Sequence, residues 1–153
     1  MSVRLIIIGL LASLVSLQLY ANKISLDQQL SKFKQQEMLH QRNKKLVQRF
    51  LTTLNTRFDL SSVQHFFTKN AEIEVVHGGG KKKRDVVVKD RFLLALTHQC
   101  TQCRIHIEKL ISSDSDVVAQ YTLHSPEGVQ LRQYMVEFTL HHNKITHMVS
   151  MSK

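Results

Sequence analysis

The 153-residue chain contains no tryptophan, one proline, five glycines and two cysteines. The scarcity of proline and glycine argues against long disordered segments, and hydrophobic residues, at 42%, are numerous enough to form a core. The length is that of one domain. Acidic residues are also scarce, with 12 Asp and Glu against 21 Lys and Arg and a formal net charge of +9. Because the basic residues are scattered, we interpret most of them as a solvated surface.

Only one long hydrophobic run is present, and it lies at the N-terminus. Residues 5–17 are almost wholly apolar, follow the positive charge of Arg4 and precede Ala21, a small residue at the expected cleavage point. The run is shorter than the ~20 apolar residues of a spanning helix. We therefore predict a signal peptide over residues 1–21 and export to the periplasm or the medium. The alternative is an uncleaved segment that anchors the protein in the inner membrane.

The two cysteines, Cys100 and Cys103, are separated by two residues. In an oxidising compartment such a pair can form a disulfide. The pair follows a predicted helix, where the helix dipole disfavours a thiolate, so a structural disulfide or two inert thiols are preferred to a redox site. Together with His98 and His106 the cysteines offer four zinc-type donors, but their spacing differs from that of zinc fingers. We predict no metal site and no cofactor.

The one tight basic run, Lys81–Arg84, follows three glycines at 78–80. A phosphate loop is not predicted, because the sequence GxxxxGK followed by Ser or Thr is absent. The run could contact an anionic surface such as lipid or an acidic protein, although such runs are usually solvated. Few aromatic residues accompany it, so we predict no nucleic-acid partner.

Hydrophobic periodicity predicts helices first and strands later. Residues 24–57 have helical spacing, and we divide the mature chain into a helical arm at 22–42 and a domain at 43–153. Asp59 is predicted to cap a second helix that ends near Asn70, and Asp85 to cap a third helix. Alternation predicts the strands, at 72–77, 103–111, 117–124, 130–141 and 144–151. This order predicts an α+β fold, with N-terminal helices packed on a curved, mainly antiparallel sheet.

That order, with the residues themselves, resembles the nuclear transport factor 2-like superfamily, whose relatives include ketosteroid isomerases and SnoaL-like polyketide cyclases. The stretches that carry the resemblance are Val47–Asn55, Asp59-Leu60, Phe66-Phe67, Ala71–Val75 and Asn143–Ile145. It covers roughly residues 44–151. The resemblance implies a cone-shaped domain that encloses a pocket, and a homodimer formed through the outer sheet face.

The resemblance also implies where catalytic groups would lie. The isomerases use a tyrosine on the first helix, a carboxylate on the first strand and a carboxylic acid on a late strand. Aligned with this chain, those positions fall on Phe50, Val75 and Val136. All three are apolar, so an enolisation would have neither a base nor an oxyanion donor. We therefore predict that the chain is not an isomerase of that kind and lean against any catalysis.

Strand alternation predicts what lines the pocket. If Val75 and Val136 face inward, so do the other residues of matching parity: Ile73, His77, Arg132, Tyr134 and Phe138. Tyr121 aligns with a pocket aromatic. The candidate pocket residues are therefore Phe50, Val75, His77, Tyr121, Tyr134 and Val136. Such a mostly apolar lining suits a small hydrophobic ligand, and the alternative is that these residues simply fill the core.

Three functions are consistent with these patterns. The first is an exported, non-catalytic domain that binds a small molecule or serves as an accessory. The second is a SnoaL-like enzyme of cyclase, isomerase or hydratase type that uses His77 with a pocket tyrosine as its acid–base pair. The third is a membrane-anchored periplasmic assembly or secretion-system accessory protein, since the periplasmic domains of type IV secretion assembly factors share this general fold. The first is our leading prediction.

Overall fold

The computed structural model describes residues 2–55, 60–77, 83–99 and 102–152. The chain divides into two units, Met1–Met38 and Leu39–Lys153. Helix α1 (Ser2–Thr53) supplies the described part of the first unit and the first element of the second. It includes most of the helix predicted over 24–57. Among the described residues, no helix combines the length and apolar character that a membrane crossing requires.

The second unit is a six-stranded sheet with helices on one face. Its further helices are α2 (Leu60–Gln64) and α3 (Lys89–Gln99). Its strands are β1 (Phe67–His77), β2 (Lys83–Val87), β3 (Arg104–Ser112), β4 (Asp116–His124), β5 (Gln130–His141) and β6 (Lys144–Ser152). The strand order is β2-β1-β6-β5-β4-β3, and every pair is antiparallel except β1 with β6. The predicted α+β class is confirmed.

Strand β1 begins earlier than the sequence predicted. Asn70 was expected in the turn after the second helix, but it lies within β1, and α2 already ends at Gln64. The reason is pairing with β6, since Ile145 donates its N–H to the carbonyl of Phe66 at 2.8 Å and lies opposite Phe67 in the ladder. A tertiary contact thus overrides a local helical pattern. Asp59, the predicted cap of α2, lies outside the described residues.

Strand β2 replaces a predicted loop and helix cap. Asp85 was expected to begin the third helix, but it lies in β2, opposite Val75, and α3 begins at Lys89. Three consecutive valines, residues 86–88, follow Asp85 in the sequence. β-Branched side chains favour strands over helices, which explains why the chain extends here and pairs with β1.

His142 and Asn143 form the turn between β5 and β6. Both residues have positive φ, at 48° and 60°, which is the backbone of a type I′ hairpin turn. The turn between β4 and β5 contains Gly128 with φ of 86°. These turns fix the register of the antiparallel strands, and with it the side chains that share a face.

The described part of α1 in the second unit lies along one face of the sheet, here called the inner face. At one end the Asn43 amide donates to the carbonyl of Asp114, at 3.1 Å, in the β3–β4 turn. At the other end the Asn55 side chain donates to the carbonyl of Ile105 at 3.0 Å and accepts the N–H of the same residue. These bonds fix the helix against β3 at both ends.

Phe50 is the central core residue beneath α1. It is 2% exposed, and its ring makes edge contacts with Phe66, Phe67 and Phe138 at centroid distances of 5.7, 5.3 and 5.8 Å. Edge-to-face pairs add to the stabilisation that burial provides. Helix α1 therefore packs on the sheet through a close cluster of phenylalanines.

Candidate ligand-binding site

The sheet register aligns inward-facing side chains in rows that cross the strands. Alternate residues of a strand point to opposite faces, so partners in the ladder share a face. The deep row consists of Val87, Ile73, Met148, Phe138, Val117 and Ser112. Its four central residues are buried, and Val87 and Ser112 at its two ends are half-buried. The middle row consists of Asp85, Val75, Ser150, Val136, Ala119 and Leu110.

Two further rows lie beyond the middle row. The polar row consists of Ile107, Tyr121, Tyr134 and Ser152, with His77 and its partner Lys83 two residues beyond Val75 and Asp85 on the same strands. The end row consists of Ile105, Leu123 and Arg132. From the deep row to the rows beyond it, the inner face therefore changes from almost wholly apolar to partly aromatic, hydroxylic and charged.

The structure brings the predicted pocket residues into this graded face. Val75 and Val136 lie in the middle row, and His77, Tyr121 and Tyr134 in the polar row. Phe50 contacts the deep row through Phe138. Val136 is buried, whereas Val75 and Tyr134 keep part of their surface exposed although they face inward. The deep part is thus packed, and the next rows retain accessible apolar surface.

The two tyrosines of the polar row form a stack. The rings of Tyr121 and Tyr134 lie 5.2 Å apart between centroids at an interplanar angle of 22°. Burial, and to a lesser extent the neighbouring Tyr134, raises the pKa of Tyr121 above its usual range. The Tyr121 hydroxyl therefore stays protonated and can donate a hydrogen bond to a ligand. The stack itself offers a flat aromatic surface.

Asp85 is a site residue that sequence reasoning missed. Its carboxylate oxygens lie 3.3 Å from Nε2 of His77 and 3.3 Å from Nζ of Lys83. Because Asp85 was interpreted as a helix cap, its place beside His77 was not foreseen. The three valines at 86–88 were the signal for β2 that could have revealed it. The result is an acid–imidazole contact at the edge of the inner face.

Lys83 and Arg84, the two described residues of the basic run, each form an ion pair with a nearby carboxylate. Lys83 contacts Asp85, and Nη1 of Arg84 lies 3.4 Å from Oε2 of Glu74. Lys81 and Lys82 lie outside the described residues. His147 lies on the outer face, where its Nε2 is 3.2 Å from Oε1 of Glu74. The same carboxylate thus contacts both His147 and Arg84.

Of the predicted cysteine pair, Cys103 is buried directly before β3, and Cys100 lies outside the described residues. The disulfide stays a prediction. In the described part of the chain, no group of three His, Cys, Asp or Glu side chains is arranged to hold a metal ion.

A concave feature lies between α1 and α2. It is an open groove of about 530 Å³. Its lining comprises Gln48, Arg49, Thr52, Thr53, Ser62, His65 and Phe66. None of the predicted pocket residues belongs to it, so it is a separate feature.

Comparison with known families supports the α+β fold described above. The sequence model of the SnoaL-like domain family matches residues 47–148, two-thirds of the chain, and the protein belongs to that family. The comparison with curated proteins found no match.

Solved structures agree on the fold. AclR from Streptomyces galilaeus, provisionally a hydroxylase, is similar with a TM-score of 0.61 at 11% identity, over 74% of this chain and 76% of its own. A provisionally assigned SnoaL-like polyketide cyclase from Jannaschia sp. CCS1 has a TM-score of 0.59 at 13% identity, over 75% and 88%. SalBIII, an epoxide hydrolase/cyclase-like enzyme of pyran ring formation in salinomycin, has a TM-score of 0.58 at 18% identity, over 74% of this chain and 92% of its own. Identities this low establish the fold alone.

Proposed function

We propose that the protein binds a small, largely hydrophobic molecule on the graded inner face without transforming it. The observation that carries this proposal is the accessible apolar and aromatic surface of Val75 and Tyr134, which face inward beside a deep row whose central residues are buried. Sites of this kind pair a mostly apolar lining with a few polar groups that orient the ligand. Here Tyr121, Ser152 and His77 would be those groups.

The apolar residues at the positions that the resemblance assigns to catalysis support a function without catalysis. By the resemblance, Phe50, Val75 and Val136 correspond to the isomerases' tyrosine, general base and carboxylic acid, and none of the three can exchange a proton or hold an oxyanion. Phe50 is moreover enclosed by three other phenylalanines. A ligand on the inner face would therefore meet no proton-transfer group at these positions.

The test is a fluorescence titration with N-phenyl-1-naphthylamine, an uncharged probe that brightens in apolar surroundings. Protein expressed from the full sequence should bind it saturably. Ser152→Trp places a bulky ring between Tyr134 and the His77 position and should abolish binding. Thr52→Trp fills the separate groove between α1 and α2 and should leave binding unchanged. Binding that survives Ser152→Trp and is lost with Thr52→Trp would contradict the proposal.

A second candidate is an enzyme, and the contact between His77 and Asp85 favours it. A carboxylate beside an imidazole can hold its orientation and stabilise its protonated form, as a general base requires. Two strand spacings separate the His77 position from Tyr134, about 10 Å between Cα atoms, which leaves room for a substrate between them. SalBIII, which shares the fold, is described as epoxide hydrolase/cyclase-like.

Hydrolysis of styrene oxide tests this second candidate. An enzyme of this design should lose turnover in both His77→Gln and Asp85→Asn. His147→Gln is the matched control, because His147 contacts a carboxylate at a similar distance on the outer face. Equal losses in His77→Gln and His147→Gln, or no turnover by the unaltered protein, would count against it.

We also infer export and self-association. The N-terminal sequence has the layout of a signal peptide, which supports secretion to the periplasm or medium.

The outer sheet face exposes Ile111 and Met135, at 52% and 41%, and apolar sheet surface of this kind supports a homodimer. Sedimentation equilibrium tests the dimer: Met135→Glu should yield a monomer if this face is the interface.

A further inference from the structure

Arg132 is an unpaired cation on the inner face. It lies in the end row, two residues from Tyr134 along β5 and opposite Leu123 of β4. Its side chain is exposed, and none of the ion pairs or side-chain hydrogen bonds found among the described residues involves it. The other inward cation, Lys83, is already in contact with Asp85.

Asp85, the acidic residue that the described strands place on the inner face, is too distant to neutralise Arg132. Asp85 lies on β2, three strands from β5, which corresponds to about 14 Å across the sheet. It is also engaged by His77 and Lys83. An anion that reached Arg132 would therefore meet a guanidinium with its hydrogen-bond donors unused, and guanidinium binds planar oxyanions with two donors at once.

We propose that the inner face selects an anionic amphiphile: an aromatic or alicyclic body on the Tyr121–Tyr134 stack, with a carboxylate or sulfonate bound to Arg132. This rests on the proposed binding function and names the ligand class of the same site. The apolar body follows from the stack and from the accessible Val75 in the adjacent middle row, two strands from Tyr134. The charge follows from Arg132 directly beyond the stack on β5. Arg132 is then the residue that determines specificity for charge.

Two probes with the same ring system test the inference. N-Phenyl-1-naphthylamine is uncharged, and 1-anilinonaphthalene-8-sulfonate is the same molecule with one sulfonate. Arg132→Gln should weaken binding of the sulfonate about fivefold or more, below the full effect of a buried charged hydrogen bond because the site is partly solvated. Binding of the uncharged probe should be unchanged, which also reports that the variant is folded. Arg132→Lys should restore part of the loss.

Arg104→Gln is the matched control. Arg104 precedes the inward-facing Ile105 on β3, so it lies on the opposite face and its loss changes net charge equally. The inference is overturned if Arg104→Gln and Arg132→Gln weaken sulfonate binding to the same extent while the uncharged probe still binds. If neither probe binds the unaltered protein, the proposed binding function itself fails, and the inference fails with it.

Discussion

The ring of Tyr121 stacks on that of Tyr134 where β4 and β5 pair, with their centroids 5.2 Å apart. Tyr121 is 8% exposed, whereas Tyr134 keeps more of its surface. Burial of Tyr121 raises its pKa, with a smaller contribution from Tyr134. The pair therefore combines a neutral hydroxyl with an accessible aromatic ring on the face to which we assign binding.

The raised pKa predicts how stability depends on pH. A phenol whose pKa is higher in the folded state than its unfolded value of about 10 contributes stability that is complete below about pH 10 and is lost as the pH rises further. We expect the free energy of unfolding to fall more steeply above about pH 10 in the unaltered protein than in Tyr121→Phe. Urea denaturation at a series of alkaline pH values measures this. Parallel declines in the two proteins would show that the phenol is not buried.

The phenylalanine cluster around Phe50 predicts how stability changes when Phe50 is replaced by tyrosine, the residue that the isomerases have at the corresponding position. Phe50→Tyr would place a hydroxyl among Phe66, Phe67 and Phe138 with no polar partner, and should cost about 1–3 kcal/mol of unfolding free energy. Phe33→Tyr is the control, because Phe33 is 63% exposed and its new hydroxyl would meet water. Equal stability of the two variants in urea would mean that a polar group or cavity accepts the hydroxyl at position 50.

The two hydrogen bonds of the Asn55 side chain are expected to contribute to the stability of the fold. Its amide bonds both the N–H and the carbonyl of Ile105, and so holds the end of α1 to the start of β3. Asn55→Ala should lower the free energy of unfolding by about 1–2 kcal/mol. Asn55→Asp keeps the accepting oxygen and loses the donor, so it should retain only part of the bonding.

Thr52→Ala is the control for Asn55, since Thr52 is exposed in the last turn of the same helix. It should change stability by less than about 0.5 kcal/mol. An Asn55→Ala variant as stable as Thr52→Ala in urea would show that the two bonds to Ile105 contribute nothing.

The predicted signal-peptide cleavage and the predicted disulfide together specify the intact mass of the exported protein. Protein recovered from the envelope fraction or the medium should begin at Asn22 and be two hydrogens lighter than the reduced chain, because Cys100 and Cys103 would be joined. Intact mass spectrometry before and after reduction checks both. A full-length mass in the membrane fraction would instead favour the anchored, assembly-type protein, and an unchanged mass on reduction would exclude the bond.

Strands with strict alternation could be predicted from the sequence, and those governed by tertiary contacts could not. Strands β4, β5 and β6 alternate clearly, and their predicted limits differ from the observed ones by at most one residue at each end. Asn70 was misplaced because β1 is extended by its parallel pairing with β6, which no local pattern reveals. Asp85 was misplaced because its short strand exists only through pairing with β1.

The same distinction applies to the candidate site. Val75, Val136 and Tyr134 were assigned to one face by their parity along two strands, and the ladder places them in adjacent rows. The contact between His77 and Asp85 depends on the register of a hairpin whose connection, residues 78–82, has no turn signature that sets the register. Whether Arg132 has an ion-pair partner depends on where the acidic side chains lie in the folded structure, which the sequence does not reveal.

The measurement that tests the central claim most directly is a residue-resolved map of N-phenyl-1-naphthylamine binding by amide chemical shifts. We expect the largest changes at Val75, Tyr134 and Ser152, on three strands of the inner face. Small changes are expected at Gln48 and His65, which line the separate groove. The largest changes in that groove, with none on the inner face, would contradict the account.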